Sequence, residues 1–308
     1  MQYRIKNVAV LGSGVMGSGI ACQLANVGLE VLMLDILPHG TSDNKKKRSS
    51  VAQNALNQAL KSKPAPLYKK EYASRISVGN LEDDFEKIKD ADWIIEVVVE
   101  RLDIKQQLFE KVEKFRKVGS IVSSNTSSIP ISQLSQGRSE EFKKHFCGTH
   151  FFNPPRYLRL LEIIPIAETQ PELVDFFMHF GEINLGKQTV LCKDTPAFIA
   201  NRIGVMSGVK VFDLTQQYDL TIEEVDALTG ALIGRPNTGT YRLQDLVGLD
   251  TGEKVTQFVV NNVENDSFFE PLGKAPETKF MTFLLENNFL GNKTGKGFYH
   301  KTDKKDQN

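Results

Sequence analysis

The chain has 308 residues, 40% of them hydrophobic and 25% charged, so we expect it to bury a substantial core. It carries 38 basic and 38 acidic side chains, and this zero formal charge gives no support for binding to nucleic acid. Its three cysteines have neither disulfide-framework nor metal-ligand spacing, so no metal site is expected. Without a signal peptide or a membrane span, we expect a cytoplasmic protein with no membrane partner.

Short apolar strands alternate with stretches of helical periodicity over the first 165 residues. The predicted strands are residues 8–11, 31–34, 93–99, 120–123, 146–152 and 160–164, and the clearest helices are 16–26 and 104–115. Strands separated by helices indicate βαβ units with right-handed crossovers. The strands are almost continuously apolar, as in a sheet that is covered on both faces. The pattern therefore predicts an α/β fold with a Rossmann-type, largely parallel sheet.

The sequence becomes mostly helical after Pro196, which suits the first turn of a helix. Helical spacing continues through residues 197–217, and Thr221-Ile-Glu-Glu224 matches a capping box that predicts a helix start. Further helical segments are predicted around 252–263 and 277–287. We therefore expect a Rossmann-type domain over 1–190, a mostly helical C-terminal domain over 191–300 and a mobile polar tail over 301–308.

A basic segment at about residues 37–75 interrupts the α/β pattern. Its charged side chains are Lys45, Lys46, Lys47, Arg48, Lys61, Lys63, Lys69 and Lys70. One interpretation is a helical insertion whose charges are simply solvated, and composition alone favours it. The other is a basic surface that binds a polyphosphate.

A glycine motif follows the first predicted strand and opens the first predicted helix. The residues expected to hold a pyrophosphate are Gly12, Gly14, Val15, Met16 and Gly17. In this motif, the glycines permit a tight turn, close approach of the backbone to phosphate, and close packing of helix on strand. Asp35 ends the second strand, where a carboxylate accepts hydrogen bonds from ribose hydroxyls and repels a 2′-phosphate. These features predict an NAD-binding domain and favour NAD over NADP.

Polar side chains also stand inside apolar strands, where their burial is unfavourable unless they are paired. His150 precedes Phe-Phe-Asn, and Glu162 lies twelve residues later in Leu-Leu-Glu-Ile-Ile. This spacing allows a strand, a turn and a neighbouring strand, which would bring the two side chains together. A carboxylate on one ring nitrogen would fix the histidine tautomer and favour its protonated form. The residues alone leave a structural role for His150 equally open.

Two other polar groups follow strands at the edge where active sites of α/β proteins usually lie. The first is the run Ser-Ser-Asn-Thr-Ser-Ser at 123–128, which a helix cap or a plain loop explains equally well. The second is Glu100, at the carboxyl end of the strand that also contains Glu96.

Together these motifs resemble the L-3-hydroxyacyl-CoA dehydrogenase family. The resemblance covers residues 7 to 300, with the motifs in the family's order and spacing. The matching segments are 12–17, Asp35, 96–100, 124–128, 150–154, Glu162, 196–202, 245–250 and 293–299. More narrowly, the chain is similar to the dehydrogenase portion of bacterial proteins in which an enoyl-CoA hydratase module follows.

The resemblance implies an NAD-dependent, reversible oxidation of (S)-3-hydroxyacyl-CoA to 3-ketoacyl-CoA in fatty-acid β-oxidation. It implies that His150 is the general base, that Glu162 orients it and that Asn153 helps to position it beside the nicotinamide. Ser127 and Asn201 would hydrogen-bond the substrate oxygens. Family positions near the cofactor are matched by Glu100, Lys105, Ser127, Asn153 and Lys293.

The family also implies an acyl-CoA substrate, a homodimer and a hydratase module in a longer parent chain. Its CoA phosphates lie where this chain has the basic segment, which makes Lys61 and Lys63 candidate substrate-binding residues. One alternative is a β-hydroxyacid dehydrogenase that acts on a free acid, although such enzymes use a lysine in the helical domain, where this chain has Asn201. Another is a crystallin-like relative that binds nucleotide without turnover.

Overall fold

A computed structural model describes residues 3–40, 45–264, 266–269, 271 and 279–300 of the chain. The tail predicted over 301–308 lies outside the described residues. The chain divides into two compact units, residues 1–198 and 199–308. This division falls eight residues after the predicted limit of 190, because the strand at 188–191 pairs within the sheet of the first unit.

The first unit is built on an eight-stranded sheet. Its strands are β1 (Asn7–Leu11), β2 (Glu30–Asp35), β3 (Ile76–Asn80), β4 (Trp93–Glu96), β5 (Ile121–Ser124), β6 (Phe146–Phe151), β7 (Leu160–Pro165) and β8 (Gln188–Leu191). They are arranged in the order β3-β2-β1-β4-β5-β6-β7-β8. All neighbours are parallel except β6 and β7. The prediction of a Rossmann-type, largely parallel sheet is confirmed.

Helices cover both faces of this sheet, which explains its apolar strands. They are α1 (Val15–Asn26), α2 (Lys45–Arg48), α3 (Ser50–Lys61), α4 (Leu102–Phe115), α5 (Ile131–Leu134), α6 (Glu140–Lys144) and α7 (Pro171–Ile183), with 3₁₀ turns at Lys70–Arg75 and Phe85–Asp90. One core cluster contains Leu24 of α1, Leu56 of α3 and Phe177 of α7. The other contains Phe109 of α4 and Phe142 of α6.

Three details of the sheet differ from the sequence prediction. Strands β3 and β8 were not expected, because each is a short edge strand with polar residues in its sequence. Strand β4 ends at Glu96, whereas the apolar run predicted a strand to residue 99. The chain leaves the sheet there because the Glu96 carboxylate accepts the main-chain N–H of Val98 at 2.7 Å.

The second unit is helical, as predicted. It contains α8 (Ala200–Gln217), α9 (Ile222–Thr229), α10 (Tyr241–Val247), α11 (Leu249–Asn262), α12 (Lys279–Glu286) and a 3₁₀ turn at Ala231–Ile233. The capping box at Thr221 forms, since Thr221 Oγ1 accepts the Glu224 N–H and Glu224 Oε2 accepts the Thr221 N–H. The predicted helix start at Pro196 is wrong. Ala197 and Phe198 have positive φ angles of 61° and 50°, so the helix begins at Ala200.

Buried carboxylates hold the end of the second unit together. Asp245 is 1% exposed and accepts the N–H groups of Phe298 and Tyr299, both at 2.9 Å. The Tyr299 hydroxyl donates to Asp226 at 2.8 Å. Gly297 packs so closely on Asp245 that any Cβ would collide with the carboxylate. The motifs at 245–250 and 293–299 therefore have a structural explanation within this unit. No helix among the described residues has the length and apolarity needed to cross a bilayer.

Candidate active site

The carboxyl ends of β1, β4, β5 and β6 meet at one edge of the sheet. These strands run parallel, and the sheet order reverses between β1 and β4. In open α/β sheets, ligands bind at this kind of switch point. The glycine motif, Glu100, the serine-rich run and His150 all follow or end these four strands.

The glycine motif has the shape of a phosphate cradle. Gly12 has a φ of 106°, and a Cβ there would lie 2.5 Å from the Val97 carbonyl oxygen. A Cβ at Gly17 would collide with the Gly12 carbonyl, whereas one at Gly14 would meet no atom within 4 Å. Helix α1 has no side-chain cap, and its first hydrogen bond runs from Ser18 to Gly14. The first-turn N–H groups and the open space at Gly14 therefore fit a pyrophosphate.

Asp35 lies directly beside this cradle. Its Oδ2 accepts the Ser13 N–H at 2.6 Å and the Ser13 hydroxyl at 2.5 Å, and its Oδ1 accepts the Ile36 N–H at 2.6 Å. The end of β2 is thereby tied to the glycine loop. A fixed carboxylate at this point suits a ribose with free hydroxyls and repels a ribose phosphate.

A buried charge cluster supports the adjoining strand ends. Lys105 of α4 is 1% exposed, and its Nζ lies 2.6 Å from Glu96 Oε1 and 3.2 Å from Glu100 Oε2. Ser124 donates to the second oxygen of Glu96 at 2.5 Å. Complete burial raises the pKa of Glu96, although Lys105 and these hydrogen bonds oppose the shift. The cluster joins α4 to the ends of β4 and β5.

Glu100 organises the serine-rich run. Its Oε1 accepts the Thr126 hydroxyl at 2.5 Å, the Ser127 N–H at 3.1 Å and the Ser128 hydroxyl at 2.7 Å. Burial alone would raise the pKa of Glu100, but the charge of Lys105 and the hydroxyl donors outweigh it and lower the pKa. The carboxylate therefore stays ionised and fixes the loop that contains Ser127.

His150 and Glu162 form a buried pair across two strands. They face each other directly in the antiparallel β6–β7 register, and His150 Nδ1 lies 2.7 Å from Glu162 Oε2. His150 is 5% exposed and Glu162 is fully buried. The rings of Phe152 and Phe198 pack on the imidazole, with centroids 4.4 and 5.8 Å away. An imidazole held by a buried acid at this edge is suited to taking and returning one proton.

Comparison with known protein families shows which family this chain belongs to. Residues 7–195 match the 3-hydroxyacyl-CoA dehydrogenase NAD binding domain, and 198–301 match the C-terminal domain of the same family. The chain belongs to this family. Its nucleotide-binding domain therefore takes NAD, which the glycine cradle and Asp35 fit.

Relatives differ in length. The chain is 49% identical to a probable 3-hydroxyacyl-CoA dehydrogenase of Bacillus subtilis, over 99% of this chain and 39% of the relative. It is 45% identical to a similarly named Deinococcus radiodurans protein, over 97% of this chain and 84% of the relative. Among solved structures, (S)-3-hydroxybutyryl-CoA dehydrogenase PaaH1 of Ralstonia eutropha has a TM-score of 0.76 and 27% identity, with 97% and 100% coverage. The chain thus spans about two fifths of its Bacillus relative.

One residue beside the His150–Glu162 pair gave no signal in the sequence, and another was predicted only as part of the serine-rich run. Cys192 is buried and hydrogen-bonds to Glu162, and burial together with the charge of Glu162 raises the pKa of its thiol to about 12. Asn125 accepts the Phe151 N–H at 2.9 Å through its side-chain oxygen, and so joins the end of β5 to that of β6. The serine-rich motif contains Asn125 and so points to it. An isolated cysteine such as Cys192 does not indicate in the sequence which residue it contacts.

The other predicted site residues have varied surroundings. Asn153 is exposed in the loop after β6, and Lys61 and Lys63 are exposed at and just after the end of α3. Asn201 lies in the first turn of α8, and Lys293 pairs with Asp250, both within the second unit.

Within the basic segment, Arg48 forms a two-point ion pair with Asp83. The side chains of Lys45 and Lys46 lie outside the described part of the chain. The helical insertion predicted at about residues 37–75 contains the short helix α2, the helix α3 and a separate 3₁₀ turn.

Proposed function

We propose that this chain catalyses the reversible NAD-dependent oxidation of (S)-3-hydroxyacyl-CoA to 3-ketoacyl-CoA. The observation that carries the proposal is the buried His150–Glu162 pair at the carboxyl edge of an NAD-binding sheet. Membership of the 3-hydroxyacyl-CoA dehydrogenase family supports the same reaction.

His150 acts as the general base for the 3-hydroxyl proton. Because Nδ1 faces Glu162, Nε2 is the nitrogen that receives this proton from the substrate. Glu162 fixes the ring orientation and stabilises the imidazolium that forms, and the surrounding aromatic rings exclude water from the pair. In the reverse direction, the imidazolium returns the proton to the reduced substrate.

The cofactor is held by the glycine motif and Asp35, together with the loop that Glu100 fixes. NAD supplies the hydride acceptor when it is bound. Ser127 and Asn201 hydrogen-bond the substrate oxygens, and Asn153 positions His150 and the nicotinamide. Lys105 supports the site indirectly, by pairing with Glu96 and Glu100. It does not line the surface of the site, because its ammonium is buried between these carboxylates. The role of Lys293 beside the cofactor remains a prediction from the family.

The decisive experiment compares acetoacetyl-CoA with free acetoacetate in an NADH absorbance assay. Turnover of the thioester alone supports the proposal. Turnover of the free acid alone would identify a β-hydroxyacid dehydrogenase, and NADH binding without any turnover would identify a crystallin-like relative.

Exposed lysines near the end of α3 supply the proposed contact for the CoA phosphates. Lys61→Ala combined with Lys63→Ala should raise KM for acetoacetyl-CoA, because two cations near the 3′-phosphate are lost. The KM for acetoacetyl-pantetheine, which lacks the nucleotide, should stay unchanged. Lys87→Ala, which removes a surface cation paired with Asp84, is a suitable control. No change in KM for either thioester would mean that the lysines are only solvated, and an equal rise for both would mean that they do not act through the CoA nucleotide.

Asp35 offers a test of cofactor choice. Asp35→Ala combined with Ile36→Arg should raise kcat/KM for NADP relative to NAD, because an acceptor of ribose hydroxyls is replaced by a phosphate partner. Ile36 is 57% exposed, so the arginine does not disturb the core. Since Asp35 also holds Ser13, thermal unfolding of the variant should be measured alongside. An unchanged cofactor ratio would exclude Asp35 from the ribose site.

We also propose that the chain forms a homodimer through its second unit. A groove of about 1660 Å³ lies there, lined in part by Val205, Phe212 and Val247. Nearby helices expose Ile203 and Phe283 to more than half of their full extent, as association surfaces do.

A hydratase module in a longer parent chain and a cytoplasmic location remain predictions. The three cysteines are buried and form no disulfide, which fits a reducing compartment.

A further inference from the structure

The loop between β6 and β7 connects the strand of His150 to that of Glu162. It spans residues 152–159 and contains Asn153. Its backbone turns tightly, since the N–H groups of Tyr157 and Leu158 both donate to the Pro154 carbonyl at 3.0 Å. Asn153 therefore lies in a hydrogen-bonded loop that begins two residues after His150.

Lys187 contacts this loop from the residue that precedes β8. It is 5% exposed, and its ammonium donates to the carbonyl of Pro155 and, at 2.7 Å, to that of Leu158. Its own backbone is fixed, because its N–H donates to Gly181 O at 2.8 Å. Burial lowers the pKa of Lys187 to about 8. A buried cation is unfavourable unless it is compensated, and here the loop carbonyls provide compensation.

Other contacts hold the opposite side of the loop. Gly19 of α1 packs on Pro155, and a Cβ at Gly19 would lie 2.9 Å from the proline Cδ. Arg156 donates to the carbonyls of Ala65 at 2.6 Å and Leu67 at 2.8 Å. The loop is thus fixed against the helix of the glycine motif and the segment after α3, while Lys187 fixes it from the β8 side.

We propose that Lys187 is a positioning residue for the dehydrogenase reaction, which holds the β6–β7 loop so that Asn153 and His150 face the substrate. This inference rests on the proposed function of His150. An apolar residue at 187 would leave the carbonyls of Pro155 and Leu158 without a buried donor, and the loop would move towards water to satisfy them. If the side chain at position 187 only filled space in the core, it would not need a charge.

The test compares Lys187→Met with Lys187→Arg and with Lys144→Met, which changes an exposed lysine of α6. In Lys187→Met, kcat per NADH-binding site should fall by about 10- to 100-fold, because small displacements of reacting groups have effects of this order. The Kd for NADH should remain close to wild type. The isotope effect with NADH deuterated at the transferred position should increase as the chemical step becomes slower. Lys187→Arg should recover part of kcat, since it still donates to two carbonyls.

Hydrogen exchange of the peptide that covers 153–159 gives a readout independent of turnover. It should be faster in Lys187→Met than in wild type or Lys144→Met. Unchanged exchange would overturn the inference, as would faster exchange with a wild-type kcat in an active enzyme. Failure of the proposed function is distinguishable, because the wild-type protein itself would then not turn over acetoacetyl-CoA.

Discussion

Replacing His150 with glutamine should lower kcat for acetoacetyl-CoA reduction by a factor on the order of 10² to 10⁴, the range associated with loss of a general acid–base group. Glutamine keeps a polar group near Glu162 but does not exchange a proton at neutral pH. Because His150 is separate from the glycine cradle and Asp35, NADH should still bind, as a fluorescence titration would show.

His179→Gln is the matched control, since His179 is exposed on α7. It should leave kcat and NADH affinity unchanged. If His150→Gln kept near wild-type turnover, His150 would not be the base. If it lost NADH binding and turnover together, a structural role for the histidine would explain both losses. Unfolding curves of the two variants separate a misfolded protein from an inactive one.

The residues of the site could be predicted from the sequence where they belong to one short motif with a known chemical role. The fold of the glycine motif requires glycine at positions 12 and 17, because a side chain at Gly12 or Gly17 would collide with the backbone. Asp35 follows at the end of the next strand, and its carboxylate contacts the loop as this spacing allows. The capping box at Thr221 formed for the same reason, because each partner lies within one helical turn.

Contacts between distant residues were only partly predictable. The twelve residues between His150 and Glu162 allow a turn, but the direct pairing depends on the antiparallel register of β6 and β7. Lys105 was predicted to lie near the cofactor, and nothing in its spacing reveals that two carboxylates enclose its ammonium. Lys187 gave no signal at all, because its partners are main-chain carbonyls. Backbone acceptors are the same in every sequence, so only the fold identifies them.

The enclosed position of Lys105 predicts a large effect on stability. In Lys105→Met, the carboxylate of Glu96 remains buried without its cation, and Glu100 loses its ion-pair partner. Breaking a buried pair by removing one partner costs about 3–5 kcal/mol of unfolding free energy. Urea unfolding is the suitable measurement, because the single tryptophan, Trp93, is buried in β4 and reports on the first unit.

Two further variants identify the source of this loss. Lys114→Met changes an exposed lysine of the same helix, whose pair with Glu110 is on the surface, and should leave the free energy of unfolding almost unchanged. Adding Glu96→Gln to Lys105→Met should recover part of the lost stability, because the unpaired charge is removed while Ser124 keeps a hydrogen-bond partner. If Lys105→Met were no less stable than Lys114→Met, the cluster would not support the ends of β4 and β5. Ser127 would then owe its position to other contacts of the loop.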